Sequence, residues 1–500
     1  MAGGMKSLAK DTAIYGVSSI LGKMLNWLLV PMYVRVFDGT GEFGIYSNAF
    51  AWVAILLVIL TYGMETGFFR FINKKEEKEP MRVYATTLFS LAITSALFVV
   101  ITYIFIDPIS RLLQYEAYPD YLKMLFLIVG LDAFCSIPFA FLRYQSRPVR
   151  FMAIRLTNIG LNIGLNLFFF LLCPVIWKSM PEAISWFYRP DYGVGYAFVA
   201  NVITSVVTLL LLIPSMRPAF KSKPSFPLLR QMLRYSFPIL ILGIAGVFNQ
   251  TADKIVFRFL FDDTQYADEQ LGIYSACFKI AVIMVMFIQA FRYAYEPFIF
   301  AKNKEKGNLR VYSEAMKYFI IFGVFIFLGV MYYLDIVKLL FLTPDYYPGL
   351  KVVPIVMAGE FFFGIYFNLS LWYKLTDQTH WGAWFSLAGC VATVLIIVGF
   401  APAYGFMACA WASFCCNLLM MLISYFVGQK KYPIAYDLRS AALYIGIGIL
   451  LFAAGMAIQC ESIWLRLGLR TLLLFVYIGI AVRRDIALRD MPFIGKYFKR

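Results

Sequence analysis

The sequence predicts an all-α polytopic membrane protein of about fourteen transmembrane helices, on three observations. The 500 residues are 61% hydrophobic with a mean hydropathy of +0.73, and apolar stretches of ~20 residues, the length a helix needs to cross a bilayer, recur from end to end. Lipid offers a bare backbone no hydrogen-bond partner, so stretches this rich in Leu, Ile, Phe and Val must satisfy themselves as helices rather than alternate as ~10-residue barrel strands. Lys and Arg also alternate between loops.

The spans fall at about 12–36, 44–69, 83–106, 121–142, 151–174, 193–214, 235–258, 271–297, 313–334, 350–373, 380–400, 404–427, 440–459 and 462–482. One set of loops is basic: Lys6 and Lys10, Arg70 to Arg82, Arg143 to Arg150, Arg217 to Arg234, Lys302 to Arg310, Lys374, Lys430 to Arg439, and Arg483 to Arg500. The opposite loops hold few cations: Arg111, Lys123, Lys178, Arg189, Lys338, Lys351 and a lone Arg466. Short basic loops stay in the cytoplasm, so both termini are expected there, as an even number of spans requires. The net charge of +16 is mostly explained by this asymmetry. It therefore gives little support to a nucleic-acid partner and favours anionic lipid headgroups instead.

The first span is too long for a secretory signal and runs on into Pro31 and Arg35. Outward loops repeat Pro-Asp-Tyr at 119–121, 190–192 and 344–346, as interfacial anchors and turns or as sugar contacts. The eight cysteines contain no Cys-x-x-Cys pair and His380 is the only histidine, so neither a disulfide framework nor a metal site is expected. No extramembrane segment exceeds roughly twenty residues, which leaves no room for a soluble catalytic domain.

An offset of 228 residues lays part of the chain on itself without a gap. Gly44-Ile45-Tyr46-Ser47 falls on Gly272-Ile273-Tyr274-Ser275, Phe50 on Phe278, Lys74 on Lys302, Arg82-Val83-Tyr84 on Arg310-Val311-Tyr312, Asp107 on Asp335 and Asp132 on Glu360. Two parallel six-helix repeats are expected, residues 1–234 and 235–428, with substrate handled where they meet. Residues 429–500 add spans thirteen and fourteen and a basic tail.

Charge within hydrocarbon costs ~2.5–3.5 kcal/mol per residue, so ionisable groups inside spans are expected to face a wet interior. Tyr15, Ser19, Lys23 and Asn26 share one face of span one, and Arg155, Asn158, Asn162 and Asn166 share one face of span five. The alternative for the span-five stripe is an interhelical hydrogen-bond seam, with Gly160 and Gly164 as a close-packing pair on another face. Span seven carries Asn249, Gln250, Asp253 and Lys254, and span eight carries Gln289, Arg292 and Glu296. Snorkelling of Asp253 and Lys254, and an i, i+4 pair between Arg292 and Glu296, are the alternatives there. Lys279 lies off that stripe, Glu65 and Arg70 close span two, and Arg70 reads also as an inside anchor. Asp132 and Glu360, stripped of water at equivalent points of spans four and ten, can take up a proton or a sodium ion, or pair with a neighbouring cation. Lys23, Arg155, Lys279 and Arg292 together make a lumen more positive than negative. A diphosphate suits it, with Asn, Gln and Tyr replacing water around sugar hydroxyls.

Lys6-x-x-x-x-Asp11-Thr12 followed by Tyr15-Gly16, then Glu42-Phe43-Gly44-Ile45-Tyr46-Ser47 and Gly63-Met64-Glu65-Thr66-Gly67-Phe68-Phe69-Arg70-Phe71, carry a resemblance. The chain resembles the oligosaccharide flippases of the polysaccharide transporter family, which share a superfamily with the lipid II flippase and the multidrug and toxin extrusion exporters. That resemblance implies a V-shaped pair of six-helix lobes and alternating access. It implies an undecaprenyl-diphosphate-linked oligosaccharide carried from the cytoplasmic to the periplasmic leaflet of a bacterial inner membrane. It also implies partners among polysaccharide polymerases or glycosyltransferases, and a cationic cavity to which Lys23, Arg70, Lys279 and Arg292 contribute. A cation-coupled drug exporter of the same fold is the alternative, although such relatives usually stop at twelve helices. An enzyme is disfavoured, because no large loop, nucleophile–base pair or ligand cluster is visible.

Overall fold

A computed structural model describes residues 21–22, 24–73, 79–302, 309–376 and 378–485, without the side chains of 294 and 296–302. The described residues form helices and no strand. Among the described residues thirteen helices are long and apolar enough to cross a membrane, and they coincide with the second to fourteenth expected spans. Of the first span, the described part is the shorter apolar helix Met24–Val36; Tyr15, Ser19 and Lys23 lie outside the described residues.

The elements in order are α1 (Val30–Val36), α2 (Gly39–Thr61), α3 (Met64–Ile72), α4 (Pro80–Ile104), α5 (Ile106–Leu112), α6 (Pro119–Tyr144) and α7 (Pro148–Leu167). They continue with α8 (Cys173–Ser179), α9 (Pro181–Ile184), α10 (Gly195–Met216), α11 (Phe226–Arg258), α12 (Thr264–Lys302) and α13 (Arg310–Tyr332). The last are α14 (Leu334–Phe341), α15 (Val352–Leu369), α16 (Leu371–Leu375), α17 (His380–Tyr404), α18 (Met407–Lys431), α19 (Leu438–Ala457) and α20 (Ile463–Arg484). Prolines open α4, α6 and α7, where the missing N–H has no helical partner to lose and the fixed φ suits the first turn.

The chain forms two compact units, one of Met1–Ala276 with Ser386–Ala412 and one of Cys277–Phe385 with Ser413–Arg500. In the first, Phe68, Tyr84, Leu88, Ile137, Phe141 and Leu212 are buried in one apolar core. The Tyr84 and Phe141 rings stack at 3.9 Å, and the Tyr84 hydroxyl donates to the Ser215 carbonyl at 3.0 Å, satisfying its only donor in a dry site. The second unit packs α13 against α19 and α20, where Tyr477 donates to the Ile321 carbonyl at 2.8 Å and Tyr332 to the Leu451 carbonyl at 2.6 Å.

Three features depart from the expected spans. The second is broken: Tyr62 (φ 33°) and Gly63 (φ 69°) are left-handed, so α3 leaves α2 at a new angle and carries Glu65 and Arg70 with it. A Cβ at Gly63 would meet the Ser236 carbonyl at 2.9 Å, so only glycine satisfies both the turn and the contact with α11. The fifth continues through a π turn at Phe168–Leu172 into α8. Among the described residues, a Cβ on Gly160 or Gly164 would meet nothing within 4 Å.

Candidate functional site

The first unit gathers ionisable side chains from α3, α6 and α7. Arg143, at the end of α6, pairs with Glu65 on α3 and lies 5.0 Å from the Phe69 ring. Arg155, about two turns into α7, lies over Phe139 at 4.2 Å and near Phe151 at 5.7 Å, within coulombic reach of Asp132, Glu65 and Arg143. Asp132 accepts from the Ser205 hydroxyl at 2.8 Å. Arg70 lies over the Tyr235 ring at 4.0 Å and is exposed.

The other polar residues of α7 turn inward. Asn158 donates to Thr208 at 2.8 Å, and the buried Asn166 donates to Asn162 while accepting from Tyr33 at 2.8 Å. Beyond Arg155 the stripe is therefore a hydrogen-bonded seam tying α7 to α10 and α1. Asn26 is exposed on the helix that precedes α1.

A second polar group of this unit lies near the end of α11. Asp253 is 5% exposed; Lys254 bonds it at 2.9 Å and the Tyr274 hydroxyl at 2.6 Å. Tyr274 belongs to the second Gly-Ile-Tyr-Ser copy, so that motif anchors an internal carboxylate. One turn on, Arg258 and Asp268 form a buried two-pronged pair, with distances of 2.9 and 3.0 Å, and the guanidinium lies 4.1 Å from the Tyr115 ring. Burial pushes the Tyr115 phenol well above its ordinary range, against the opposing pull of Arg258, so it stays a neutral donor to Asn48 at 2.8 Å. A cavity of about 750 Å³ beside this pair is lined by Asp38, Glu42, Arg111, Glu116, Asp262 and Glu269, among others.

In the second unit, Arg292 on α12 lies 4.7 Å from the Phe367 ring and Lys374 on α16 lies 4.4 Å from it, so one buried ring holds two cations. Lys279 and Glu360 are half-buried, and Glu296 has its side chain outside the described residues.

The structure thus brings Glu65, Asp132 and Arg155 together in one unit and seats Arg292 beside Lys374 in the other. The sequence treats Lys374 and Arg143 only as loop anchors. The rings that receive the site's cations, Phe69, Phe139, Tyr235 and Phe367, carry no signal in an 18% aromatic composition, because cation–ring contacts join helices far apart in sequence.

Twenty-seven solved chains match the fold. The lipid II flippase MurJ in an inward closed conformation superposes with a TM-score of 0.71 at 14% identity, covering 95% of this chain and 98% of its own. An inward-facing multidrug resistance MATE family transporter of the MOP superfamily gives 0.63 at 14% identity, covering 82% of this chain and 94% of its own. A MATE in complex with MaD3S gives 0.58 at 14% identity, covering 85% and 96%. At these identities the likeness establishes the fold. No curated protein sequence matches the chain. The profile of the polysaccharide biosynthesis protein family matches residues 8–303, more than half of the 500, and the chain belongs to that family of multi-pass membrane proteins.

Proposed function

We propose that this protein flips an undecaprenyl-diphosphate-linked oligosaccharide from the cytoplasmic to the periplasmic leaflet of a bacterial inner membrane, with both termini cytoplasmic. The observation that carries the reading is how its intramembrane arginines are held. The guanidinium carbons of Arg70 and Arg155 lie over the rings of Tyr235 and Phe139, 4.0 and 4.2 Å from their centroids, and neither side chain forms an ion pair among the described residues. A guanidinium held by a ring rather than by a carboxylate keeps N–H donors for another anion, and those donors match the oxygens of a diphosphate. Arg292 and Lys374 on Phe367 give the other unit a similar cationic surface. The family and the flippase fold support the same reading. The lobes proposed to rock around the substrate are residues 1–234 and 235–428, with spans thirteen and fourteen beside the prenyl chain.

Asp132 and Glu360 are the carboxylates proposed to take a coupling proton or sodium ion. The test is transfer of a diphosphate-linked glycolipid across proteoliposomes, together with surface polysaccharide in cells. Arg70→Gln, Arg155→Gln and Arg292→Gln are each expected to abolish transfer at unchanged membrane abundance. Normal transfer by all of them would overturn the charge argument.

A drug exporter is the second reading, favoured by the MATE superpositions. The MATE chain covers 82% of this chain against 95% for the lipid II flippase, which suits a protein with two additional helices. Drug resistance lost in Asp132→Asn, with glycolipid transfer absent in the parent, would select it.

A further inference from the structure

Two of the few cations that break the charge alternation of the loops, Lys338 and Arg466, converge on one carboxylate. α13 begins at Arg310, in a basic loop, and ends at Tyr332, ~34 Å away at 1.5 Å per residue, so whatever follows it lies at the opposite face. There Asp335, on the short helix α14, is shared by three cations. Lys338 reaches one carboxylate oxygen at 2.9 Å, and Arg466 and Arg470 reach the other at 3.1 Å each. Burial alone would raise the Asp335 carboxyl, but the three cations hold it below the usual carboxylate range.

The three are not equivalent. Arg470 is 6% exposed and also donates to the carbonyls of Gly455 at 2.9 Å and Tyr332 at 3.4 Å, which makes it the internal strut between α20, α13 and α19. Arg466 and Lys338 have side chains 25% and 27% exposed, and the buried Nε of Arg466 has no acceptor among the described residues. One carboxylate against three cations leaves two positive charges over, and Lys338 and Arg466 are the only two of the set through which that charge reaches the surface. Around them the surface is apolar: Ile336, Leu339 and Leu340 are exposed on α14, and Trp464, Leu465 and Leu469 on α20. An uncompensated pair of cations at the edge of an acyl-facing surface, beside an interfacial tryptophan, lacks one component, an anion that arrives with its own hydrocarbon.

We propose that Lys338 and Arg466 bind the phosphodiester of an anionic glycerophospholipid in the leaflet opposite the basic loops. The guanidinium of Arg466 supplies paired donors to the phosphate oxygens, Lys338 supplies a point charge, and the exposed side chains of α14 and α20 take the acyl chains. A lipid there would bridge α14 to α20 and add to the Arg470 strut.

The test is photocrosslinking in mixed bilayers with a photoreactive phosphatidylglycerol, and with a photoreactive phosphatidylcholine as comparison. Adducts are mapped by peptide, so lipid bound at the many basic loops is counted separately. Adducts within 334–341 and 463–469 are expected from the anionic probe above the zwitterionic one. They should fall about fivefold for each cation lost in Lys338→Gln and Arg466→Gln. Both variants keep Arg470 on Asp335, and a thermal melt in lipid-free detergent close to the parent's shows that the fold is kept; adduct yield at the basic loops should not change. Equal yields from the two probes, or yields unmoved in both variants, would overturn the site. So would adducts displaced by undecaprenyl diphosphate but not by excess phosphatidylglycerol, which would assign the cations to the transported lipid.

Discussion

Gly44 and Gly272 meet backbone to backbone, and each is closed off by the residue four before the other. A Cβ on Gly44 would run into the Asp268 carbonyl and stand 3.0 Å from the Gly272 nitrogen; a Cβ on Gly272 would run into the Thr40 carbonyl and stand 3.0 Å from the Gly44 nitrogen. Thr40 and Asp268, like Gly44 and Gly272, are 228 positions apart. The contact is reciprocal under the same offset that relates the two Gly-Ile-Tyr-Ser copies. Gly44→Ala and Gly272→Ala are therefore expected to lower the melting temperature by similar amounts. Each should cost about 1–3 kcal/mol, the range for overpacking a tight contact, as read by thermal unfolding in detergent. A large loss in one and none in the other would break the symmetry.

Next to this crossing, the Arg258–Asp268 pair is buried on both sides. Removing one partner strands a charge, so Arg258→Gln or Asp268→Asn alone should destabilise by about 3–5 kcal/mol, while an apolar pair at both positions recovers most of that. A double-mutant cycle on chemical unfolding measures the coupling.

Acid should loosen the last helix. Asp485 accepts from Lys317 at 2.7 Å and from Tyr444 at 2.7 Å, tying the end of α20 to α13 and α19. Burial alone would raise this carboxyl, but Lys317, Tyr444 and Arg484 hold it below the usual range. A group depressed in the folded state stabilises fully above its unfolded value of about 3.9 and ceases to as pH falls through the lower folded value. Amide exchange in 463–484 is expected to speed up below about pH 4 in the parent. In Lys317→Met exchange should already be faster at neutral pH, and the acid step should shrink.

Phe367 seats both Arg292 and Lys374. Phe367→Leu keeps the apolar volume but removes the ring face, and a cation–ring contact is worth about 0.5–2 kcal/mol. Glycolipid transfer is expected to fall several-fold while melting changes little, and Phe367→Tyr should restore it.

Glu65 partners Arg143 within the group that also holds Asp132 and Arg155. Glu65→Gln adds one net positive charge there. An anionic headgroup is expected to bind more tightly and leave more slowly, lowering both apparent KM and turnover in proteoliposomes.

Thirteen spans were legible because hydrocarbon thickness and the lack of backbone partners in lipid act on composition alone. The break at Tyr62–Gly63 was not, since a glycine in an apolar run is written the same way whether it packs or turns. Arg155 was found by helical spacing, but spacing could not separate it from Asn162 and Asn166 on the same stripe. What separates them is Tyr33, a partner more than a hundred residues away that fills the asparagine end of the stripe and leaves the arginine end on aromatic rings. Arg470 carries no signal of its own in the sequence, because a single cation in an apolar span resembles a boundary residue until Gly455 and Asp335 are seen around it.

The interrupted second span has a mechanical reading. Its long first arm is riveted at Gly44, whereas α3 begins anew after two left-handed residues and needs no helical hydrogen bond broken to change direction. Glu65 and Arg70 therefore ride on a short crank whose direction is set by the Tyr62–Gly63 joint and not by the rest of the span.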